Sequence, residues 1–502
     1  MKENTVIIKT NKGDIAGQYQ DNMMVFKGIP YAKPPVKELR FAPPVAMDVW
    51  DGVKECYEYG NCSTQAPCIL VNSKPSEDCL YLNVWAPKLD PNKKYPVYFW
   101  IHGGGYFNGC GSMEYYDGSS FANKDVIVVT INYRLGALGF LALETLMNKY
   151  GTTGNWGMLD QIAALKWVNE NIAAFGGDSN NITIGGESAG SFSVSSLVMS
   201  PLAKGLFQKA IMQSGNILSD NVSLPFTQAK LEASVDNSVK FAQLFGADDS
   251  EKGLEILQNV DAYKLWETGF FSSDITVPSP MAFWHTLDGV VLPKNPLEAL
   301  KNKEYNKAVY LMGFNEQEGN VFLSENSTLE GAHNFISLVF GDKKDGLNKY
   351  YDDNVRQNLG FVSDVVTYAY FKAGTLSMMD LLVSNGEKVY GYEFGLTADG
   401  NYPMKNIGPH HAVDILYTFD SFDKMGLIMG PNDKMISKQM NTMWANFITS
   451  GNPNVGLELD HKVVWDTYNN NKFYYFNENI ECTNLKDREK INDFEKMLNL
   501  TK

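Results

Sequence analysis

Histidine is scarce in this chain, with six in 502 residues, and so is cysteine, also with six. No two cysteines form a Cys-x-x-Cys pair. That excludes zinc-ribbon and thioredoxin-like sites, which need paired thiolates at that spacing. Positive charge is in deficit: 43 Lys and Arg face 58 Asp and Glu, a formal net charge of −15. A surface of that sign repels phosphate backbones, so nucleic acid is not an expected partner. No window offers the roughly 18 consecutive apolar residues of a membrane helix. The stretch Met1 to Thr10 lacks the roughly 7–15-residue apolar core of a secretory signal. A soluble cytoplasmic protein is therefore expected. Repeats, low-complexity tracts and Pro- or Ser/Gly-rich linkers are all missing.

Apolar residues make up 44% of the chain, enough for a large core. Length alone suggests about three domains, but large α/β enzymes also grow by insertion into one sheet. Val6–Thr10 and Ile15–Tyr19 read as a hairpin around Asn11-Lys12-Gly13-Asp14. Further on, strand and helix alternate. Val97–Ile101, Val126–Asn132, Ile182–Ile184, Ala308–Phe314 and Val389–Phe394 read as strands. Asp160–Phe175 carries Ile162, Leu165, Val168 and Ile172 at helical spacing. Ala189–Met199 reads as a helix stopped by Pro201. Continuous apolar strands between helices predict a mostly parallel sheet covered on both faces. Residues 224–300 have weak sheet character and helical patterning, and read as an inserted cap. Leu485–Leu500 reads as a surface helix packing on its own domain. Cys56, Cys62, Cys68 and Cys79 cluster in a loop-rich stretch. An oxidising compartment would suit a bridge from Cys79 to Cys62 or Cys68; the cytoplasm would keep them thiols.

Gly186-Glu187-Ser188-Ala189-Gly190 lies between a predicted strand and a predicted helix, the setting a Gly-x-Ser-x-Gly nucleophile elbow requires. The following helix directs its N-terminal amides at the serine. Five residues alone would also fit an ordinary strand–helix turn. His102-Gly103-Gly104-Gly105 directly follows the strand Val97–Ile101. Successive glycines let backbone N–H groups point at one spot. Acyl transfer puts negative charge on a carbonyl oxygen, and pre-aimed donors stabilise it. The N–H groups of Gly104, Gly105 and Ala189 are the expected oxyanion hole. A phosphate loop would want Lys-Ser/Thr after its last glycine, whereas Tyr106-Phe107 follows here.

A nucleophilic serine needs a base, and the base an orienting carboxylate. His102 belongs to the glycine motif; His333 and His461 lie in polar, loop-like stretches. His410-His411 follows Gly408-Pro409, late enough for the order Ser…Asp/Glu…His. The carboxylate then falls between 188 and 410. Glu316 and Glu318 both follow the strand Ala308–Phe314, and pattern alone does not separate them.

With these blocks in place the chain resembles the type-B carboxylesterases, a family of bacterial esterases and cholinesterases, and within it the bacterial para-nitrobenzyl-esterase-like branch. The resemblance runs through Phe26-Lys27-Gly28-Ile29-Pro30-Tyr31-Ala32, Ser76-Glu77-Asp78-Cys79-Leu80-Tyr81-Leu82-Asn83-Val84 and Asn132-Tyr133-Arg134-Leu135-Gly136. It continues through Gly154-Asn155-Trp156-Gly157-Met158-Leu159-Asp160-Gln161 to Gly451-Asn452-Pro453-Asn454. It implies one α/β-hydrolase domain over 1–502, a large mixed sheet flanked by helices, and no metal or organic cofactor. The family pattern Gly-x-Asn-x-x-Glu-Gly selects Glu318, and the glycine three residues before the family's histidine selects His411. The expected triad is therefore Ser188, His411 and Glu318. One departure matters: Ser63–Pro75 has no Trp, Tyr or Phe where cholinesterases place an aromatic for the cationic choline head, which argues against choline esters. The cysteine spacing of this loop is also shortened.

The expected reaction is ester hydrolysis through an acyl-enzyme, on uncharged esters of small to medium size, with activity rising through a pKa near ~6–7 as the base deprotonates. Phe107, Phe283, Trp284 and His285 are candidate pocket residues, although core packing explains any one of them equally well. Glu187 is a candidate negative pocket floor, or half of an internal ion pair with an arginine. A non-catalytic adhesion module and a serine peptidase or amidase are the rival readings. A monomer or weak homo-oligomer is expected.

Overall fold

The computed structural model describes residues 3–67, 72–218, 229–269, 274, 276, 283–352, 354–459, 463–469 and 472–500. Its centre is the strand Tyr95–Ile101, buried along its whole length. Successive side chains of a strand point to opposite faces. Val97, Phe99 and Ile101 accordingly enter one apolar core, and Tyr98 and Trp100 the other. Apolar side chains on both faces require cover on both faces, so this strand lies inside the sheet.

Thirteen strands form that sheet. One flank is antiparallel: Thr5–Lys9, Asp14–Gln20, Met23–Pro30 and Tyr81–Pro87, the last pairing with Ile127–Ile131. Then come six parallel pairings through Tyr95–Ile101, Gly177–Glu187, Lys209–Gln213, Val309–Asn315, Lys388–Phe394 and Lys472–Phe476. Glu481–Asn484 closes the far edge antiparallel, and Val53–Glu55 joins Asp14–Gln20. The result is a mixed α/β-hydrolase sheet with its parallel part in the middle. Helices Trp156–Asn171 and Ala189–Met199 feed the first core; Pro431–Ser450 feeds the second through Met440, Trp444 and Phe447.

Within the expected 224–300 insertion stand the helices Leu231–Gln243, Glu251–Asn259, Ala262–Thr268 and Pro296–Lys301. Residues 224–228, 270–273, 275 and 277–282 of that segment, like Cys68 and His461, lie outside the described residues. Residues 329–384 add a long helical stretch that no sequence pattern had pointed to. The C-terminal helix Arg488–Met497 buries Ile491 and Phe494, as its amphipathic pattern predicts. Cys56, Cys62, Cys79, Cys110 and Cys482 are free thiols.

Candidate active site

Three strand ends converge on one place, the carboxyl edge of the parallel sheet, where open α/β sheets build their sites. Gly177–Glu187 delivers Ser188, Tyr95–Ile101 delivers the glycine loop, and Val309–Asn315 delivers Glu318.

Ser188 is the N-cap of Ala189–Met199, with φ 54° and ψ −126°. A non-glycine residue held there costs about 1–3 kcal/mol and needs surroundings that fix it. Those surroundings are visible. Ser188 N–H donates to Gln213 O at 3.0 Å, and Ser188 O accepts from Phe192 N–H at 2.9 Å. A Cβ on Gly186 would stand 2.5 Å from the Gly190 carbonyl carbon, and one on Gly190 would stand 2.0 Å from Ile101 O. Strand and helix approach too closely for any side chain at either position.

The glycine loop packs directly on this bend: a Cβ built on Gly103 would lie 3.1 Å from Ser188 Cβ and 2.9 Å from Glu187 Oε2. Gly104 O accepts from Phe107 N–H and Asn108 N–H at 3.0 and 2.9 Å, and Tyr133 OH donates to His102 O at 2.9 Å. Among the described residues, the N–H groups of Gly104, Gly105 and Ala189 enter no loop or cap hydrogen bond. His102 is buried, stacked on Tyr133 and tied by Nδ1 to Gly103 O at 2.8 Å; burial pulls its pKa down to about 4. It is a neutral support of the loop.

His411 Nδ1 meets Glu318 Oε2 at 2.6 Å, and Glu318 Oε1 accepts from Asn315 N–H at 2.6 Å. Glu316 is exposed, so the structure brings Glu318 and not its neighbour to the imidazole. His410 turns away: its Nε2 meets Tyr402 OH at 3.0 Å and its Nδ1 meets His411 O at 2.7 Å. Burial lowers the His410 pKa.

Among the described residues the other nitrogen, His411 Nε2, has no hydrogen-bond partner; Glu187 Oε1 stands 3.0 Å from it. Ser188 Oγ is thus not bonded to the ring in this state. One oxygen of the Glu187 carboxylate faces His411, and the other lies, like Ser188 Cβ, against Gly103. Glu187 is buried and, among the described residues, pairs with His411 rather than with an arginine. Burial opposes a charge on His411, but Glu187 and Glu318 outweigh it and push the imidazole up to about 9. Burial likewise pushes the Glu187 carboxyl up to about 8, with His411 pulling the other way.

Several neighbours had no sequence signal of their own. Phe371 and Phe322 lie 4.6 and 5.1 Å from the His411 ring. Asp414 is wholly buried; its Oδ2 accepts from Gln213 Nε2 and Tyr392 OH at 2.9 and 2.8 Å. Its spacing of three from His411 was the one hint available. The pocket candidates fall into three aromatic contacts, of which the pair Trp284 and His285 packs on Tyr106 beside the elbow helix. Phe107 stacks on Trp266 at 4.4 Å, whose Nε1 donates to Phe107 O at 2.9 Å. Trp284 packs on Tyr106 at 4.5 Å and on Phe192 at 5.4 Å. His285 is buried against Tyr106, and Phe283 packs on Phe241. Among the described residues, the ring contacts of these four do not include His411. Among the described residues, no group of His, Cys, Asp and Glu is arranged to hold a metal, and no helix is long and apolar enough to cross a membrane.

Residues 4–495 match the carboxylesterase family. The para-nitrobenzyl esterase of Bacillus subtilis (strain 168) is 33% identical over 487 residues, covering 92% of each chain. A solved PNB esterase superposes with a TM-score of 0.84 at 32% identity, over 97% of this chain and 99% of that one. A Geobacillus stearothermophilus carboxylesterase gives 0.84 at 33% identity with the same coverage.

Proposed function

The chain belongs to the carboxylesterase family and is a carboxylic ester hydrolase; on that premise we propose that Ser188 is its nucleophile, His411 its general base and Glu318 the orienting acid. The observation that carries this assignment is the chain of contacts Asn315–Glu318–His411–Glu187, which ends beside Ser188.

His411 takes the hydroxyl proton as Ser188 attacks the ester carbonyl, then hands a proton to the leaving alcohol. Water repeats the sequence on the acyl-enzyme and regenerates the serine. Glu318 fixes the Nδ1–H tautomer and offsets the imidazolium charge. The amides of Gly104, Gly105 and Ala189 receive the oxyanion; that they enter no loop or cap hydrogen bond among the described residues supports that role. Glu187 faces Nε2 at 3.0 Å, so the ring or the carboxylate must move before the base engages Ser188.

We assign the cofactor-free chemistry of this site to small and medium uncharged esters. The packing of Trp284 on Tyr106 and on Phe192 of the elbow helix supports an apolar boundary there. We further take the whole chain as one catalytic domain capped by residues 224–300, held in the cytoplasm as a monomer or weak homo-oligomer. Thiols rather than disulfides at Cys62 and Cys79 suit that compartment. A matched panel of esters and amides tests the reading: hydrolysis of apolar esters with negligible turnover of choline esters and amides is the expected result. Preferential amide turnover would make the protein a peptidase or amidase instead.

A further inference from the structure

The helix Gly360–Val366 continues into Ala373–Ser384 through a π-helical turn, Thr367–Lys372. Such a turn adds one residue to the helical register and is rare, because its hydrogen bonds are poorer. It therefore needs something to hold it. Thr367 Oγ1 accepts from Gly319 N–H at 2.9 Å, immediately beside Glu318. Phe371 lies 4.6 Å from His411 and stacks with Phe322. Lys372 points elsewhere. Its buried Nζ donates to Glu393 Oε1 at 3.1 Å and to Asp487 Oδ2 at 2.9 Å. Tyr368 OH donates to the same Asp487 oxygen at 2.6 Å. Glu393 pairs in register with Phe314, in the strand that delivers Glu318.

One turn of helix thus touches the acid loop, the ring of the base and a largely buried ion cluster. A buried ammonium held by one buried and one partly exposed carboxylate is a poor source of net stability but a demanding geometric constraint. We propose that Lys372 is a positioning residue: its bonds to Glu393 and Asp487 fix the π turn in the register that presses Phe371 against His411. This rests on His411 being the base. Lys372 itself does not face the imidazole; the groups that do are Glu187, Glu318, Asp414 and the adjacent His410.

Four changes test it: Lys372→Met, Lys372→Arg, Phe371→Ala and the charge-free Lys372→Met/Glu393→Gln/Asp487→Asn. The last removes the uncompensated carboxylates that Lys372→Met leaves behind. A misplaced catalytic group costs up to about a hundredfold in rate. Lys372→Met and the charge-free variant should lose about ten- to a hundredfold in kcat with KM within about twofold. Lys372→Arg, which keeps the charge, should recover most of the rate. Loss of the packed ring admits water to His411, which relieves burial but also screens the carboxylates that outweigh it, so the rise in rate should move to lower pH, toward the ordinary imidazole value, in both slow variants. Removing the charges in the Phe371→Ala background should change nothing further, because the effect runs through that ring. Multiplying effects, or a rate loss with an unmoved pH midpoint, would overturn the proposal. So would failure of both Lys372→Met and the charge-free variant to fold, since the cluster would then serve the fold at large. His411→Ala separates the two levels: an active, folded His411→Ala removes the base assignment, whereas a dead one with multiplying effects at Lys372 and Phe371 removes only this inference.

Discussion

The serine bend and the histidine corner of this site are built in opposite ways. At the bend, backbone does the work: Gly186 and Gly190 allow strand and helix to approach within a distance no Cβ tolerates, and Gly103 seats the glycine loop on Ser188. At the corner, side chains do it: Glu187, Glu318, Phe322, Phe371 and Asp414 surround one imidazole from distant parts of the chain. A backbone device tolerates no added atom, whereas a side-chain device can be tuned one group at a time. Substitutions should therefore act as switches at the bend and as dials at the corner.

The largest effects come from the two reacting groups. Ser188→Ala and His411→Ala should each lower kcat by ~10⁴–10⁶-fold with the fold retained; near-normal turnover in a folded variant would remove that residue from the triad. Next comes Gly190→Ala. Its new methyl meets Ile101 O, so a loss of about 1–3 kcal/mol in stability and most of the activity is expected, read from the thermal midpoint and kcat. A fully active and equally stable variant would show that the bend is not held as tightly as its geometry indicates.

The dials are smaller. His411 acts as a base only when neutral, so activity rises with pH through its pKa. The neighbouring carboxylates push that value up toward about 9, above the ~6–7 that sequence alone suggests. Glu187→Gln removes one of those charges, so the midpoint of the kcat/KM profile should fall toward the ordinary imidazole value. An unmoved midpoint would mean that Glu187 does not face the working base. The mildest change is His410→Ala, which loses a bond to Tyr402 outside the chain of contacts and should stay within about tenfold of the parent. A loss equal to that of His411→Ala would exchange the two histidines.

The same contrast explains what could be read without coordinates. The bend and the glycine loop are contiguous stretches, His102–Gly105 and Gly186–Gly190, each placed by the strand before it. Strands such as Tyr95–Ile101 and Val309–Asn315 were legible because continuous apolar runs have few alternatives. The corner is assembled from residues 187, 318, 322, 371, 411 and 414, and spacing in sequence says nothing about their meeting. Glu316 and Glu318 differ only in which side of a turn they occupy. Phe371 was further hidden by the π turn, which breaks the 3.6-residue periodicity that helical pattern reading relies on. Glu187 stood next to the nucleophile in plain view, but its partner was a histidine more than two hundred residues away rather than an arginine.

Reaction with a fluorophosphonate, followed by mass mapping of the adduct in the parent and in His411→Ala, tests the convergence of bend and corner most directly. The account predicts a single adduct on Ser188 in the parent and almost none in His411→Ala at equal time. An adduct on another residue, or equally fast labelling of Ser188 without the imidazole, would contradict it.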